Sequence, residues 1–368
     1  MIPVCEPLIT VRDMELVNDA LASGWVSSAG KYIDLFEERW AAICNMPYGI
    51  AVSNGSTALD IAVDLLDLEA GDEVIMPTFT IISPAQSVVR GGGKPVLVDS
   101  DPITWQMDTS QIEAKITTRT RAILVVHIYG HPADMDPIMA LAQKYSLTVI
   151  EDAAEVHGAT YKGLPCGSIG QISTFSFYAN KLVTTGEGGM VLVKSREHAE
   201  RARSLRNLCF QPDRRFYHES LGYNYRMTNL QAAMGVGQLE RLEETVDRKR
   251  AIAKAYNTAF AQLPAVRLPV EMSWAHAVYW VYGIVLSDER AEDAARVMGL
   301  LRERGVDTRP FFLGMHEQPV FHKMGLFCDE RYPVAERLAR SGFYIPNGVA
   351  MTAGQLSLVA DSFKECLA

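Results

Sequence analysis

The sequence predicts an α/β protein: a large domain on a parallel or mixed sheet, then a small α+β domain. Three observations carry this. Short runs rich in Val and Ile, at 73–77 (EVIMP), 95–99 (PVLVD), 122–127 (AILVVH) and 147–152 (LTVIED), alternate with stretches long enough for helices, such as 137–145. Runs of this kind, buried on both faces and joined by crossovers, mark a sheet with helices on each side. Residues 49–66, GIAVSNGSTALDIAVDLL, read as strand, small-residue turn and helix. Beyond a long charged helix at 240–260 come a strand-like run at 278–286, a helix at 291–304, the loop TRPFFLGMHEQPVF and a terminal helix, a pattern that suits a small domain. The boundary is placed near 245, giving a large domain 1–245 with the N-terminal arm and a small domain 246–368.

Composition narrows the function classes. With 48% hydrophobic and 21% charged residues over 368 positions, the chain has material for two cored domains. A net charge of −9 argues against a nucleic-acid or anionic-membrane surface as the main partner. The six cysteines are scattered without CxxC spacing, which fits a reduced, cytoplasmic setting. No window approaches the run of about 18 apolar residues that a membrane span needs.

Taken in order, an extended arm leads to a helix at 10–23 and then GWVSSAGK at 24–31, which is either a surface connection or a ligand loop. Ile33, Phe36, Trp40 and Ile43 share one face of a helix over 32–44. The turn Ser53-Asn54-Gly55-Ser56-Thr57 puts hydroxyls and a glycine at the unpaired N–H groups of the next helix, as a phosphate site or as plain caps. Neither GxxxxGK[ST] nor GxGxxG is present. Ligands of such sheets sit beyond the carboxyl ends of the strands, where Asp152, Ser53 to Thr57 and His127 fall. Asp152 caps the following segment or faces a cationic ring nitrogen. Residues 161–170 read as a hairpin or a turn leading into the next stretch.

The stretch 172–190, ISTFSFYANKLVTTGEGGM, is a strand followed by a tight turn at Gly186, Gly188 and Gly189. Lys181 stands between them among uncharged neighbours. It is either a snorkelling lysine or one desolvated enough to act as a neutral, nucleophilic amine of the Schiff-base type. The glycines of 229–239, NLQAAMGVGQL, suit close helix packing. Metal chemistry and triad hydrolysis have no motif: HExxH, a Cys cluster and GxSxG are missing, and Gly130 and Pro132 keep His127 and His131 off one helix face.

With these landmarks in order, the chain resembles the DegT/DnrJ/EryC1/StrS sugar aminotransferases, pyridoxal-phosphate enzymes of the aspartate-aminotransferase fold (type I). The likeness runs nearly end to end, through GWVSSAGKYIDLFE, AVSNGSTAL, DEVIMPTFT, EDAAEVHGA, FSFYANKLVTTGEGGM, GYNYRMTNLQAA and TRPFF...MHEQP. The resemblance implies that Lys181 carries pyridoxal 5'-phosphate and shuttles the proton, and that Asp152 keeps the pyridine nitrogen protonated. It implies that Gly55, Ser56, Thr57 and Ser176 hold the phosphate, that Asn224 reaches it from a second subunit of an obligate homodimer, and that Glu155 lies near the phenolic oxygen. Ile81 stands where the family has a stacking aromatic, with Phe79 as the alternative; Ala179 and Gly314 replace a common glycine and proline. Trp25, Ser27, Lys31, Phe311 and His316 would face the nucleotide sugar. The landmarks resemble most those members that aminate C4 of GDP-4-keto-6-deoxy-D-mannose with L-glutamate through pyridoxamine phosphate. UDP- or dTDP-linked keto sugars, or a cofactor-binding regulatory protein, are the alternatives.

Overall fold

In the computed structural model, which describes residues 1–211, 213–214 and 216–367, the large sheet is built from seven strands. They are β1 (Tyr48–Val52), β2 (Glu73–Pro77), β3 (Lys94–Val98), β4 (Thr120–Val126), β5 (Thr148–Asp152), β6 (Ile172–Ser176) and β7 (Gly189–Val193), in the order β1-β7-β6-β5-β4-β2-β3. From β6 to β3 every pairing is parallel, and β7 runs antiparallel to both neighbours. The cause is local: residues 177–188 connect β6 to β7 without a crossover helix, and a direct connection forces the return strand to reverse. That connection carries Lys181.

Helix α1 (Val11–Ala22) packs on the helix Asn229–Leu239, and α2 (Lys31–Ile43), α3 (Gly55–Asp64) and α4 (Ser83–Arg90) pack on the sheet. The helix Asn229–Leu239 packs tightly, as its small residues suggest: a Cβ on Gly235 would lie 2.7 Å from the Phe36 ring, and one on Gly237 2.6 Å from Asp13. The Phe36 ring and the Asp13 carboxylate occupy the space a side chain would need at these two positions.

The second sheet, β8 (Val266–Arg267), β9 (Tyr282–Leu286), β10 (Arg309–Pro310) and β11 (Gly342–Ile345), is antiparallel in the order β8-β9-β11-β10. Its core joins Ile284 and Phe343 to Val297, Leu301, Val359 and Phe363 from the covering helices. Helix α5 (Leu242–Phe260) bridges the two cores, giving Leu242 and Val246 to the first and Ile252, Tyr256 and Phe260 to the second.

Three expectations shift. The strand read over 278–286 begins only at Tyr282, because Val278 N–H donates to Gly130 O at 2.8 Å and Tyr279 adopts a left-handed conformation (φ 48°), turning the chain back to the large sheet. The helix read over 291–304 spans Ala294–Glu303. The arm, read with the large domain, pairs with the other side: Ile2 bridges Val306, and Asn347 N–H donates to Val4 O at 3.1 Å. Burial of Ile2 in the second core drives this. Among the described residues no helix is long and apolar enough to cross a membrane.

Candidate active site

The carboxyl ends of β1, β5 and β6 open onto a cavity of about 630 Å³. At one end lies the start of α3. Asn54 caps it, its side chain accepting the Thr57 N–H at 2.9 Å, while the Thr57 hydroxyl donates to Asn54 O at 2.8 Å. Thr57, expected among the phosphate ligands, therefore lines the cavity with its N–H and hydroxyl already engaged. The first-turn N–H groups of Gly55 and Ser56 have no intrahelical acceptor and carry the positive end of the helix dipole. Cap and anion site are thus one structure. A Cβ on Gly55 would come within 2.7 Å of Ser176 Cβ, so only glycine lets the helix approach the end of β6. The Ser56 and Ser83 hydroxyls, 2.9 Å apart, and Ser176 complete a set of neutral donors.

At the other end Lys181 projects from a turn closed by its N–H to Tyr178 O at 2.9 Å. Its Nζ stands 4.0 Å from Glu155 Oε1 and 3.6 Å from the centroid of the Trp280 ring. The second Glu155 oxygen accepts the Tyr129 N–H at 2.7 Å, and Tyr129 holds a left-handed conformation (φ 58°). Burial lowers the Lys181 pKa, with Glu155 and Asp152 opposing; burial raises that of Glu155, with Lys181 opposing. Loss of hydration disfavours both charges, which favours the neutral amine a nucleophile requires. Asp152, at the end of β5 and 4% exposed, has a side chain that among the described residues accepts only a 3.2 Å N–H from Ala154, and burial raises its pKa. A buried carboxylate so lightly partnered suits a cationic ring N–H.

The remaining expected residues divide. Ile81 lines the cavity, 44% exposed, whereas Phe79 is fully buried against Tyr129, Phe311 and Phe312, so the face offered to a ring at this position is aliphatic. Phe311 is not at the cavity: it packs on Tyr129 and Trp105, and its neighbour Phe312 faces the space instead. His316 is also internal, its Nδ1 2.8 Å from the Thr78 hydroxyl and its Nε2 3.3 Å from Glu336. Trp25 and Ser27 are exposed on their loop, Lys31 is exposed at the start of α2, and Trp25 and Lys31 border a separate hollow. Asn224 is exposed beside Asn207. None of these six meets Lys181 within one protomer.

His127 follows β4 but points away: Nε2 meets Glu151 at 3.1 Å and Nδ1 accepts the Ala133 N–H, a pattern that fits the neutral ring. His157, pushed down to about 3 by burial, accepts the Val183 N–H and anchors the loop that carries Lys181. Missing from the sequence reading are Trp280, Tyr344, Phe312, Tyr225 and Arg90, which line the cavity from distant segments. The aromatic clusters VYWVY and RPFF signalled Trp280 and Phe312, whereas Tyr225, Tyr344 and Arg90 lie outside both.

The model of the DegT/DnrJ/EryC1/StrS aminotransferase family matches residues 7–364. The chain belongs to this family. Like other DegT/DnrJ/EryC1/StrS members it is a pyridoxal-phosphate-dependent sugar aminotransferase with the type I fold. It is 39% identical to the GDP-perosamine synthase of Escherichia coli O157:H7, over 99% of this chain and 98% of that one, and 37% identical to that of Caulobacter vibrioides, over 100% and 98%. Among solved structures it is similar to the aminotransferase from Psychrobacter cryohalolentis, at 31% identity, TM-score 0.92 and 98% coverage of both chains. It is also similar to S. venezuelae DesV in complex with a ketimine intermediate, at 33% identity and TM-score 0.89, over 96% of this chain and 93% of that one. The family's cofactor fits the cavity: open helix N–H groups and three serine hydroxyls at one end, a sparsely bonded carboxylate and a buried amine at the other.

Proposed function

We propose that this chain is a GDP-perosamine synthase, moving the amino group of L-glutamate to C4 of GDP-4-keto-6-deoxy-D-mannose. The observation that carries the reading is the full-length identity of 35–39% to three proteins of that name. When bound, pyridoxal phosphate supplies the aldehyde that accepts the amine and the ring that stores its electrons.

The chain's own residues do the rest. Gly55, Ser56 and Ser176 bind the phosphate, and Asp152 holds a proton on the ring nitrogen by charge. Lys181, whose charged form burial disfavours, would take and return the proton at the substrate carbon that carries the amine, a transfer worth about 10²–10⁴-fold when the base is well placed. Glu155, 4.0 Å from the lysine amine, would lie near the cofactor's phenolic oxygen. Asn224 completes the phosphate site from a second copy in a homodimer, and the loop bearing Trp25, Ser27 and Lys31 faces the nucleotide there; the enzyme works in the cytoplasm. The test is a panel of GDP-, UDP- and dTDP-linked keto sugars offered with glutamate and read by mass spectrometry. Amination of the GDP-linked 4-keto sugar above all others is expected; preference for a UDP or dTDP sugar would refute the assignment.

A further inference from the structure

Lys181 meets a side chain that the proposed chemistry does not use. Its Nζ lies 3.6 Å from the centroid of the Trp280 indole, over the ring face, where the electron-rich π system attracts an ammonium. Trp280 is 4% exposed and fixed at two points. Its indole N–H donates to Asn180 O at 2.8 Å, one residue before Lys181, and its carbonyl accepts from Lys249 Nζ at 2.8 Å. Lys249 is itself 2% exposed and also donates to Asn347 Oδ1 at 3.1 Å, while the Asn347 amide donates to Tyr279 O. A buried lysine needs such partners to offset lost hydration, and here both it and the amide beyond it grip the backbone beside the indole. The ring is thereby immobilised against the lysine.

We infer that Trp280, locked by Lys249, is a positioning residue whose indole face holds the Lys181 amine whenever that amine is not bonded to the cofactor. The inference rests on Lys181 being the lysine that carries the cofactor, and not on which sugar is aminated. A freed amine faces three destinations: water, the Glu155 carboxylate, or the ring. Glu155 at 4.0 Å is beyond hydrogen-bond distance, and its nearer commitment is the Tyr129 N–H at 2.7 Å. The indole offers attraction without a directional bond, so it retains the amine and releases it freely. The charged and titratable groups around the amine are Glu155, Asp152, His157 on the far side of the loop, and Cys5 from the arm, whose thiol shares Asn180 O with the indole.

The test uses cofactor-free protein. The pH dependence of Lys181 labelling by an amine-reactive reagent, quantified by peptide mass spectrometry, gives its pKa in wild type, Trp280→Leu and Trp280→Phe. A π face that stabilises the ammonium raises the pKa, so Trp280→Leu is expected to lower it by about one unit, a tenfold change in the ratio of charged to neutral amine at a given pH. Trp280→Phe, which keeps a weaker face and most of the volume, is expected to lower it by less. Equal pKa values in wild type and Trp280→Phe, or in wild type and a folded Trp280→Leu, overturn the inference. Should Trp280→Leu not fold, the Phe variant decides. Lys181→Ala is the separate control: if that variant still binds the cofactor covalently, the underlying lysine assignment falls and the inference with it.

Discussion

The carboxyl ends of β1, β5 and β6 and the wall of Trp280, Phe312 and Tyr344 enclose the same cavity, yet they reach it by opposite routes. Each floor residue sits in a short contiguous motif whose strand, turn and helix are set by local rules: Asn54 caps α3, Asp152 ends β5, Ser176 ends β6. The wall residues come from three segments of the second half of the chain and meet only when the small sheet docks. The floor supplies charge and hydrogen bonds, while the wall supplies aromatic surface. The contrast teaches that polar chemistry can be written locally, whereas the surface that orients it is a product of packing.

The largest effect that would sharpen this contrast is on the floor. Lys181→Ala is expected to abolish covalent cofactor attachment and reduce turnover by at least about a thousandfold, measured by visible absorbance and by product formation. A turnover near wild type would break the contrast at its strongest point. Next come Phe312 in the wall and its buried neighbour Phe311. Phe311→Ala, which empties a buried site among Tyr129 and Trp105, is expected to cost ~3–5 kcal/mol in denaturant-induced unfolding. Phe312→Ala is expected to cost far less stability and to raise KM several-fold; the reverse ranking would show that Phe311 and not Phe312 faces the ligand.

The smallest effect concerns pH. Burial raises the folded-state pKa of Glu155 above its ordinary 4.5, so the folded protein holds that proton where the unfolded chain has lost it. Its contribution to stability is therefore full below that value and declines as pH rises through the raised one. In cofactor-free protein, Glu155→Gln is expected to gain on wild type progressively as pH rises above 4.5, by chemical denaturation. A difference between the two that does not change with pH would contradict the shift.

Much of the floor was legible because period and turn chemistry announce it: the run EVIMP forms a strand over the expected residues, and the SNGST turn begins a helix. What was not legible has physical causes. Thr57 reads as a phosphate donor until the cap is seen to occupy its hydroxyl. Phe311 and Phe312 are indistinguishable in sequence, and which of them turns inward depends on the strand register that pairs Pro310 with Phe343. His316 was drawn to the cavity by its loop, but Thr78 and Glu336 hold it in the interior. Trp280 lies about a hundred positions from Lys181, a separation over which no periodicity speaks.

The pairing of residues 2–5 with the far half of the chain governs when this enzyme can come into being. Ile2 waits for Val306, Val4 for Asn347, and only a seated arm brings Cys5 to the Asn180 carbonyl beside the reactive lysine. During synthesis the floor can therefore assemble while the ribosome is still translating the small sheet. The finished chamber cannot exist until residue 347 has emerged, so a nascent or truncated chain lacks the clasp that completes it.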